Sequence, residues 1–316
     1  MNEKIKLGIS ACLLGKNVRY NGGHAHDHYL TETLGQWVDY VPVCPEVECG
    51  LPVPRETMRL VGDPDNPVLM TNKTKKDMTA QMKNWAKKRV RELEKEHLCG
   101  FIFKSKSPSS GLYRVKIYTE QGMPANQGVG IWARIFTENS PLLPVEEEGR
   151  LHDPGLRENF IQRIFVFKRW QEVLKKGKTR GNLVDFHTRH KLLLLSHNQK
   201  NYREMGKLVA SSKDVTQTEL FERYVEILNQ TMMLKTTRPK NVNVLIHIMG
   251  YFKKMLPSDE KQELLEIINQ YKKNYLPLVV PITLLNHYVR KYDVPYLASQ
   301  VYMNPHPIEL GLRNQA

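Results

Sequence analysis

The first half of the chain alternates short apolar runs with longer segments of helical periodicity. Apolar runs at residues 5–9, 40–43 and 100–103 predict buried strands, and residues 30–40 and 75–97 have the spacing of amphipathic helices. Strands that alternate with helices favour a mainly parallel sheet covered by helices. The sequence therefore predicts an α/β N-terminal domain.

The second half has helical periodicity almost throughout and predicts an all-α C-terminal domain of about five helices. Prolines fall between the apolar stripes, where a proline starts or stops a helix at the least cost. The segment 175–181 is basic and contains glycine, as a linker does. We therefore place the first domain at residues 1–176 and the second at 177–316. The predicted helices span residues 183–208, 217–234, 242–255, 258–275 and 281–292.

Composition agrees with a globular protein of two domains. The chain has 316 residues, of which 41% are hydrophobic and 25% are charged. No apolar stretch approaches the roughly 18 residues that cross a bilayer. The N-terminus runs directly into a predicted strand and has no leader-like segment. We expect a cytoplasmic protein without a membrane partner, while its oligomeric state stays undecided.

The net charge of +14 is concentrated in the second half. Residues 1–160 carry 22 Lys and Arg against 20 Asp and Glu, whereas residues 161–316 carry 25 against 13. Such an excess can attract RNA or DNA, although lysines on solvated helix surfaces are the commoner cause. Nucleic-acid contact by the basic C-terminal domain therefore remains one of two interpretations.

Three segments that directly follow predicted strands carry the candidate chemistry. They are residues 10–15 (SACLLG), 43–50 (VCPEVECG) and 106–111 (KSPSSG). The carboxyl ends of parallel strands meet at one sheet edge, where ligands bind. The chain has four cysteines, too few for a disulfide scaffold, so they are better candidates for thiols, ligands or catalysts. Cysteine thiolates are also the ligands that hold iron–sulfur clusters.

The order of these motifs resembles the thiouracil desulfurase family over about residues 4–160. This resemblance implies a [4Fe-4S] cluster held by three cysteines, with one iron left open to the sulfur of a thiolated base. It also implies that water replaces that sulfur at carbon. By motif, Glu46 would activate water or move a proton, and Ser107 would position the substrate or the water. The resemblance rests on residues 11–22, 44–56 and 107–111.

The chain departs from the family pattern at Ser110, which stands where the pattern has its third cysteine. A serine hydroxyl is a hard donor and a poor replacement for thiolate. Cys99 begins the third predicted strand, roughly 20 Å from the edge at about 3.3 Å per residue, and is expected to be a core thiol. Cys49 shares the strand-end loop of Cys44. We therefore predict Cys12, Cys44 and Cys49 as the iron ligands, with a cluster-free binding domain as the alternative.

Other polar residues complete the predicted site. Arg19 could bind a planar or anionic group of the substrate, although surface ion pairs are the usual fate of arginine. The hydroxyls of Ser109 and Ser110 and the neighbouring backbone N–H groups could cradle a carbonyl or an anion. The histidines of residues 24–28 resemble a metal tract, but loop histidines of this kind more often face solvent.

The second half resembles the YbgA-like helical domain through residues 185–191 (DFHTRHK) and 304–310 (NPHPIEL). Within it, His187, His190 and His197 share one helix face. No carboxylate accompanies them, so we expect packed histidines rather than a metal site.

Two functions follow from the sequence. The first is a desulfidase that converts C=S to C=O in a thiolated pyrimidine or a related thiocarbonyl compound, with a small thiolated base as substrate. The alternative is a nucleic-acid-associated protein whose basic helical domain docks on RNA or DNA while the first domain senses or edits thio-bases.

Overall fold

The structure is a computed structural model that describes residues 4–119, 122–211 and 215–314. The chain divides between Asp153 and Pro154 into two compact units. This division falls at the start of a long helix, whereas the sequence analysis placed the domain boundary at the end of that helix, after Lys176. The helix therefore packs with the second unit.

The first unit contains two four-stranded sheets. The first sheet has the order β2-β1-β5-β8 and its strands are parallel throughout, which confirms the predicted α/β fold with a mainly parallel sheet. The second sheet has the order β4-β3-β6-β7 and contains antiparallel hairpins. The strands are β1 (Ile5–Ser10), β2 (Val38–Val43), β3 (Met58–Val61), β4 (Val68–Thr71), β5 (Phe101–Phe103), β6 (Val115–Tyr118), β7 (Pro124–Gly128) and β8 (Val145–Glu147).

Helices of the first unit are α1 (Pro45–Glu48), α2 (Thr79–Glu94) and α3 (Ile131–Asn139). Helix α2 confirms the amphipathic segment predicted at 75–97. The helix predicted over residues 30–40 is wrong in its second part. A π-helical turn and a 3-10 turn end at Gln36, and β2 begins at Val38 because that strand pairs along its whole length with β1.

The core of the first unit packs tightly against the parallel sheet. Phe101, Phe103, Trp132 and Phe136 are fully or almost fully buried and form one aromatic cluster. Burying each such side chain contributes about 1.5–3 kcal/mol. A Cβ atom at Gly8 would lie 2.2 Å from the ring of Phe101, so only glycine lets β1 approach β5 at this point.

The second unit is helical, as the sequence predicted, and in the described ranges no helix is long and apolar enough to cross a membrane. The helix predicted over residues 183–208 is two helices, because the extended backbone of Asn198 interrupts it. The Asn198 side chain then caps the next helix by accepting a hydrogen bond from Asn201 N. The helices are α4 (Pro154–Lys176), α5 (Arg180–His197), α6 (Gln199–Ala210), α7 (Gln217–Met233), α8 (Arg238–Tyr251), α9 (Ser258–Lys272), α10 (Val279–Lys291) and α11 (Pro295–Ala298).

The three histidines of α5 are buried and bonded within the second unit, as expected for packed histidines. His187 Nδ1 lies 3.1 Å from the Tyr224 hydroxyl, and His197 Nδ1 lies 2.6 Å from the Leu234 carbonyl oxygen. His190 Nδ1 donates to the Phe186 carbonyl at 2.7 Å. The Nδ1 atom of each of these three histidines is therefore hydrogen-bonded inside the helical core.

Burial of His190 should make the folded protein less stable in acid. Burial lowers the pKa of His190 from 6.5 to about 3, with a further contribution from the nearby Arg169. The folded state therefore keeps His190 neutral, while the unfolded chain takes up a proton below about pH 6.5. We expect His190 alone to lower the free energy of unfolding by about 2 kcal/mol between pH 7 and pH 5.

Urea unfolding of the full chain at both pH values measures this effect. The variant His190→Asn should flatten the pH dependence relative to the parent chain. His247→Asn is the matched control, because His247 is exposed on α8. Equal pH dependence in His190→Asn and the parent chain would contradict the prediction.

Candidate active site

A cavity of about 350 Å³ opens at the carboxyl ends of β1, β2 and β5. This volume suits a small ligand the size of a single base. The cavity lies at the sheet edge where the sequence placed the three strand-end segments. It brings together all but one of the predicted site residues: Cys12, Arg19, Cys44, Glu46, Ser107, Ser109 and Ser110.

Cys12 and Cys44 follow β1 and β2 on neighbouring positions of the cavity wall. Cys12 lies in a 3-10 turn, and Cys44 directly precedes α1. Burial raises the pKa of the Cys12 thiol to about 11, although Lys104 opposes this shift. Burial also raises the pKa of Cys44. Both residues are therefore protonated thiols at neutral pH, and a metal that bound them would replace the proton.

Cys49 ends α1 and does not belong to the cavity lining. Its thiol donates to the Glu46 carbonyl oxygen at 3.3 Å, and its side chain packs against the core of the first unit. Burial raises the pKa of Cys49 to about 11. Its role as an iron ligand stays a prediction.

Glu46 is the carboxylate of the cavity, and hydrogen bonds hold both of its oxygens. Arg55 forms a buried ion pair with Oε2, with its Nε at 2.8 Å. Ser109 Oγ donates to Oε1 at 2.8 Å. The Ser109 hydroxyl has one proton, which it donates to Glu46. The Ser107 hydroxyl is therefore the donor in the 2.9 Å contact between the two serines. The result is a directed chain of donors from Ser107 through Ser109 to the carboxylate.

Sequence reasoning did not identify Arg55 as the partner of Glu46. The same guanidinium donates to the Val18 carbonyl at 2.9 Å, so it ties the loop after β1 to the loop after β2. A cation buried beside a carboxylate keeps that carboxylate oriented and compensates its charge. The available signal was the position of Arg55 inside the motif at residues 44–56.

Two consecutive buried glutamates of the β8 end fix the serine turn of residues 107–111. Glu147 Oε1 accepts hydrogen bonds from Leu112 N at 2.7 Å and Tyr113 N at 3.1 Å, just after the turn. Glu148 Oε2 accepts from Ser105 N at 2.6 Å, just before it. These side chains therefore hold both ends of the turn. Burial raises the pKa of Glu147.

Helix α3 holds the middle of the same turn. Ile131 N donates to the Pro108 carbonyl at 3.2 Å, and Trp132 N donates to the Ser109 carbonyl at 2.9 Å. The first N–H groups of a helix lack partners within the helix, so the turn supplies them. A Cβ atom at Gly130 would lie 2.4 Å from the Ser109 carbonyl oxygen.

We therefore expect Gly130→Ala to destabilise the fold by about 1–3 kcal/mol, because the methyl group must push the serine turn away from α3. Urea unfolding measures the loss. Gly181→Ala is the matched control, since no atom lies within 4 Å of its added Cβ and alanine favours the helix there. The prediction fails if the two variants are equally stable.

Arg19 lines the cavity, whereas the exposed histidines of residues 24–28 do not. Arg19 Nη1 donates to the His24 carbonyl at 3.4 Å. His26 Nε2 is bonded to the Thr31 hydroxyl at 3.0 Å, and His28 Nδ1 lies 2.6 Å from Glu32. Across residues 4–119, 122–211 and 215–314, no group of three or more His, Cys, Asp or Glu is arranged to hold a metal ion.

Both parts of the chain are similar to known protein families. The family model described as 2-thiouracil desulfurase matches residues 7–148, and the one described as protein of unknown function (DUF1722) matches residues 191–307. The uncharacterized protein YbgA of Escherichia coli (strain K12) is 33% identical over 156 residues, which cover 48% of this chain and 90% of YbgA. The chain belongs to the 2-thiouracil desulfurase family and carries a second, YbgA-like domain.

Other relatives match the chain in part. The uncharacterized protein YbbK of Bacillus subtilis (strain 168) is 31% identical over 111 residues, which cover 33% of this chain and 71% of YbbK. A solved structure titled [4Fe-4S]-dependent thiouracil desulfidase TudS is 28% identical, covers 48% of this chain and 95% of its own, and has a TM-score of 0.40. All of the cavity residues lie within the 2-thiouracil desulfurase domain.

Proposed function

We propose that this member of the 2-thiouracil desulfurase family is a desulfidase that uses an iron–sulfur cluster to replace the sulfur of a thiolated pyrimidine by oxygen. One observation carries the proposal. The cavity of the desulfurase domain combines the buried thiol of Cys12 and the half-buried thiol of Cys44 with the carboxylate of Glu46 and its serine donors. In the reaction, C=S and water give C=O and hydrogen sulfide.

The donors around the cavity fit an iron–sulfur cluster held by two thiolates and a third donor. Cys12 and Cys44 are soft ligands of the kind that such clusters require. Ser110 also borders the cavity, and its hydroxyl has no hydrogen-bond partner within the described chain. When bound, the cluster would supply a thiophilic Lewis acid that polarises the C=S bond.

Residues of the chain perform the proton chemistry. Glu46 accepts hydrogen bonds on both oxygens, as an ionised carboxylate does, so it can take the proton of an attacking water. Ser109 aligns one of its oxygens, and Arg55 aligns the other. Ser107 lies at the outer end of this donor chain, where its hydroxyl donates to Ser109 and accepts from Ser109 N and Ser110 N, so its role in the proposal is to position Ser109.

Anaerobic purification followed by an assay with 2-thiouracil tests the proposal. We expect iron and acid-labile sulfide in the protein, and equal amounts of uracil and released sulfide from the substrate. Cys99→Ser should keep both properties, because Cys99 is buried at the opposite end of β5. Iron-loaded protein that leaves 2-thiouracil and other thiolated pyrimidines unchanged would refute the desulfidase.

Nucleic-acid contact by the second unit is a separate proposal, supported by its charge alone. Binding to RNA through phosphate contacts weakens steeply with salt. Thiolated and unmodified tRNA should therefore both bind more tightly at low than at high salt. Absent or salt-independent binding would remove this proposal and leave the free base as the substrate.

A further inference from the structure

The third donor of the proposed cluster can be assigned from the cavity wall. We infer that Ser110 Oγ, rather than the thiol of Cys49, is the third iron ligand; this assignment rests on the cluster proposed above. It also replaces the substrate contact that the sequence suggested for Ser110.

The first observation is the unused hydroxyl of Ser110. Ser10 Oγ accepts from Lys104 N at 2.9 Å, and Ser105 Oγ donates to Glu148 at 2.8 Å. The other cavity serines, at positions 107 and 109, belong to the donor chain of Glu46. Ser110 is only 3% exposed, yet its hydroxyl alone among those of the five cavity serines, which all lie in the described ranges, bonds to no other residue. Ser110 Oγ is not one of the fully enclosed unpartnered atoms of the described residues, so this hydroxyl keeps accessible surface and is open to a ligand in the cavity that Ser110 lines.

The second observation is the rigidity of the backbone that carries this hydroxyl. Ser110 N donates to Ser107 Oγ at 3.1 Å, and Gly111 N donates to the Ser107 carbonyl at 2.8 Å. Glu147 fixes the following residues, and α3 fixes the preceding carbonyls. Ser110 is therefore held on the cavity wall shared with Cys12 and Cys44, which is the preorganisation that a metal ligand needs.

The third observation is that Cys49 is engaged elsewhere. Its thiol donates to the Glu46 carbonyl, its carbonyl accepts from Gln81 Nε2 at 2.7 Å, and its N–H donates to the Pro45 carbonyl at 3.1 Å. Bringing its sulfur into the cavity would break the bond from the thiol to the Glu46 carbonyl and remove the side chain from its packing against the core of the first unit.

The chemistry of the assignment balances without a redox step. Ser110 forms an Fe–O bond and releases its hydroxyl proton to water, which iron promotes as other bound cations do. Iron accepts single oxygen donors in proteins, as the tyrosine ligand of catalase haem shows. An alkoxide is a harder and more basic donor than thiolate.

Loss of iron to a chelator tests the assignment without relying on activity. The parent chain and its variants are reconstituted anaerobically with iron and sulfide, and the release of iron to bathophenanthroline is followed. We expect Ser110→Ala to lose iron about 10–100-fold faster than the parent chain. Ser110→Cys should lose iron more slowly and gain thiolate-to-iron absorbance. Cys49→Ser should match the parent chain.

The experiment distinguishes failure of the Ser110 assignment from failure of the proposed cluster and from failure of the proposed activity. Fast iron loss from Cys49→Ser, with Ser110→Ala matching the parent chain, would assign the third position to Cys49. An unchanged absorption spectrum in Ser110→Cys would also overturn the inference, even if Ser110→Ala did not fold. A parent chain that takes up no iron and sulfide would refute the proposed cluster and the inference together. A stable cluster without desulfidation would refute the proposed activity alone.

Discussion

Glu46→Gln is expected to lower kcat for thiouracil desulfidation about 10²–10⁴-fold, the range that a positioned general acid or base contributes. The substitution keeps the shape of the side chain but removes its ability to accept a proton. Ser109 and Arg55 both donate to this carboxylate, so an amide in its place also mismatches one of the two donors. KM should change much less than kcat, because the cavity wall is preserved.

Steady-state kinetics on protein with measured iron content check this result. Glu94→Gln is the control, since Glu94 is exposed on α2 and does not line the cavity. Glu46→Asp should recover part of the activity, because it restores a carboxylate at a shorter reach. A Glu46→Gln variant with parent-like kcat and equal iron content would show that another group handles the proton.

The sequence was sufficient to predict which strand ends meet. Parallel strands bring their carboxyl ends to one edge, so the positions of Cys12, Cys44 and the serine turn followed from the apolar runs before them. The second sheet was harder to predict from the sequence. Its strands are only four or five residues long, and hairpin partners such as β3 and β4 depend on tertiary pairing that periodicity does not report.

The direction of a side chain and its hydrogen-bond partners were harder to predict than the loop or strand end on which the residue lies. Cys49 is five residues from Cys44, yet one turn of helix directs its thiol to a backbone carbonyl and away from the cavity lining. Glu147 and Glu148 hold the serine turn, yet their partners lie more than 30 residues away along the chain. Sequence spacing identifies residues that share a loop, but it does not identify hydrogen-bond partners contributed by distant strands.

Cys12→Ala and Cys44→Ala are each expected to abolish desulfidase activity together with the cluster. The two thiols face the same cavity from adjacent parallel strands, and removing either leaves one thiolate for a cluster that needs several. Without the proposed cluster, the C=S bond would lose its Lewis acid. Glu46 and its donors would remain in place, but they act on water and do not polarise the sulfur.

Iron content, visible absorbance and activity, measured on the same anaerobic preparations, check this prediction. Cys99→Ala is the control, because it also removes a buried thiol and costs stability but lies outside the cavity lining. Urea unfolding of the metal-free chains separates a lost ligand from a lost fold. Full iron content and activity in Cys12→Ala would contradict the two-thiolate site. Iron retained without activity would instead make Cys12 a group that acts on the substrate, so the two measurements distinguish ligation from catalysis.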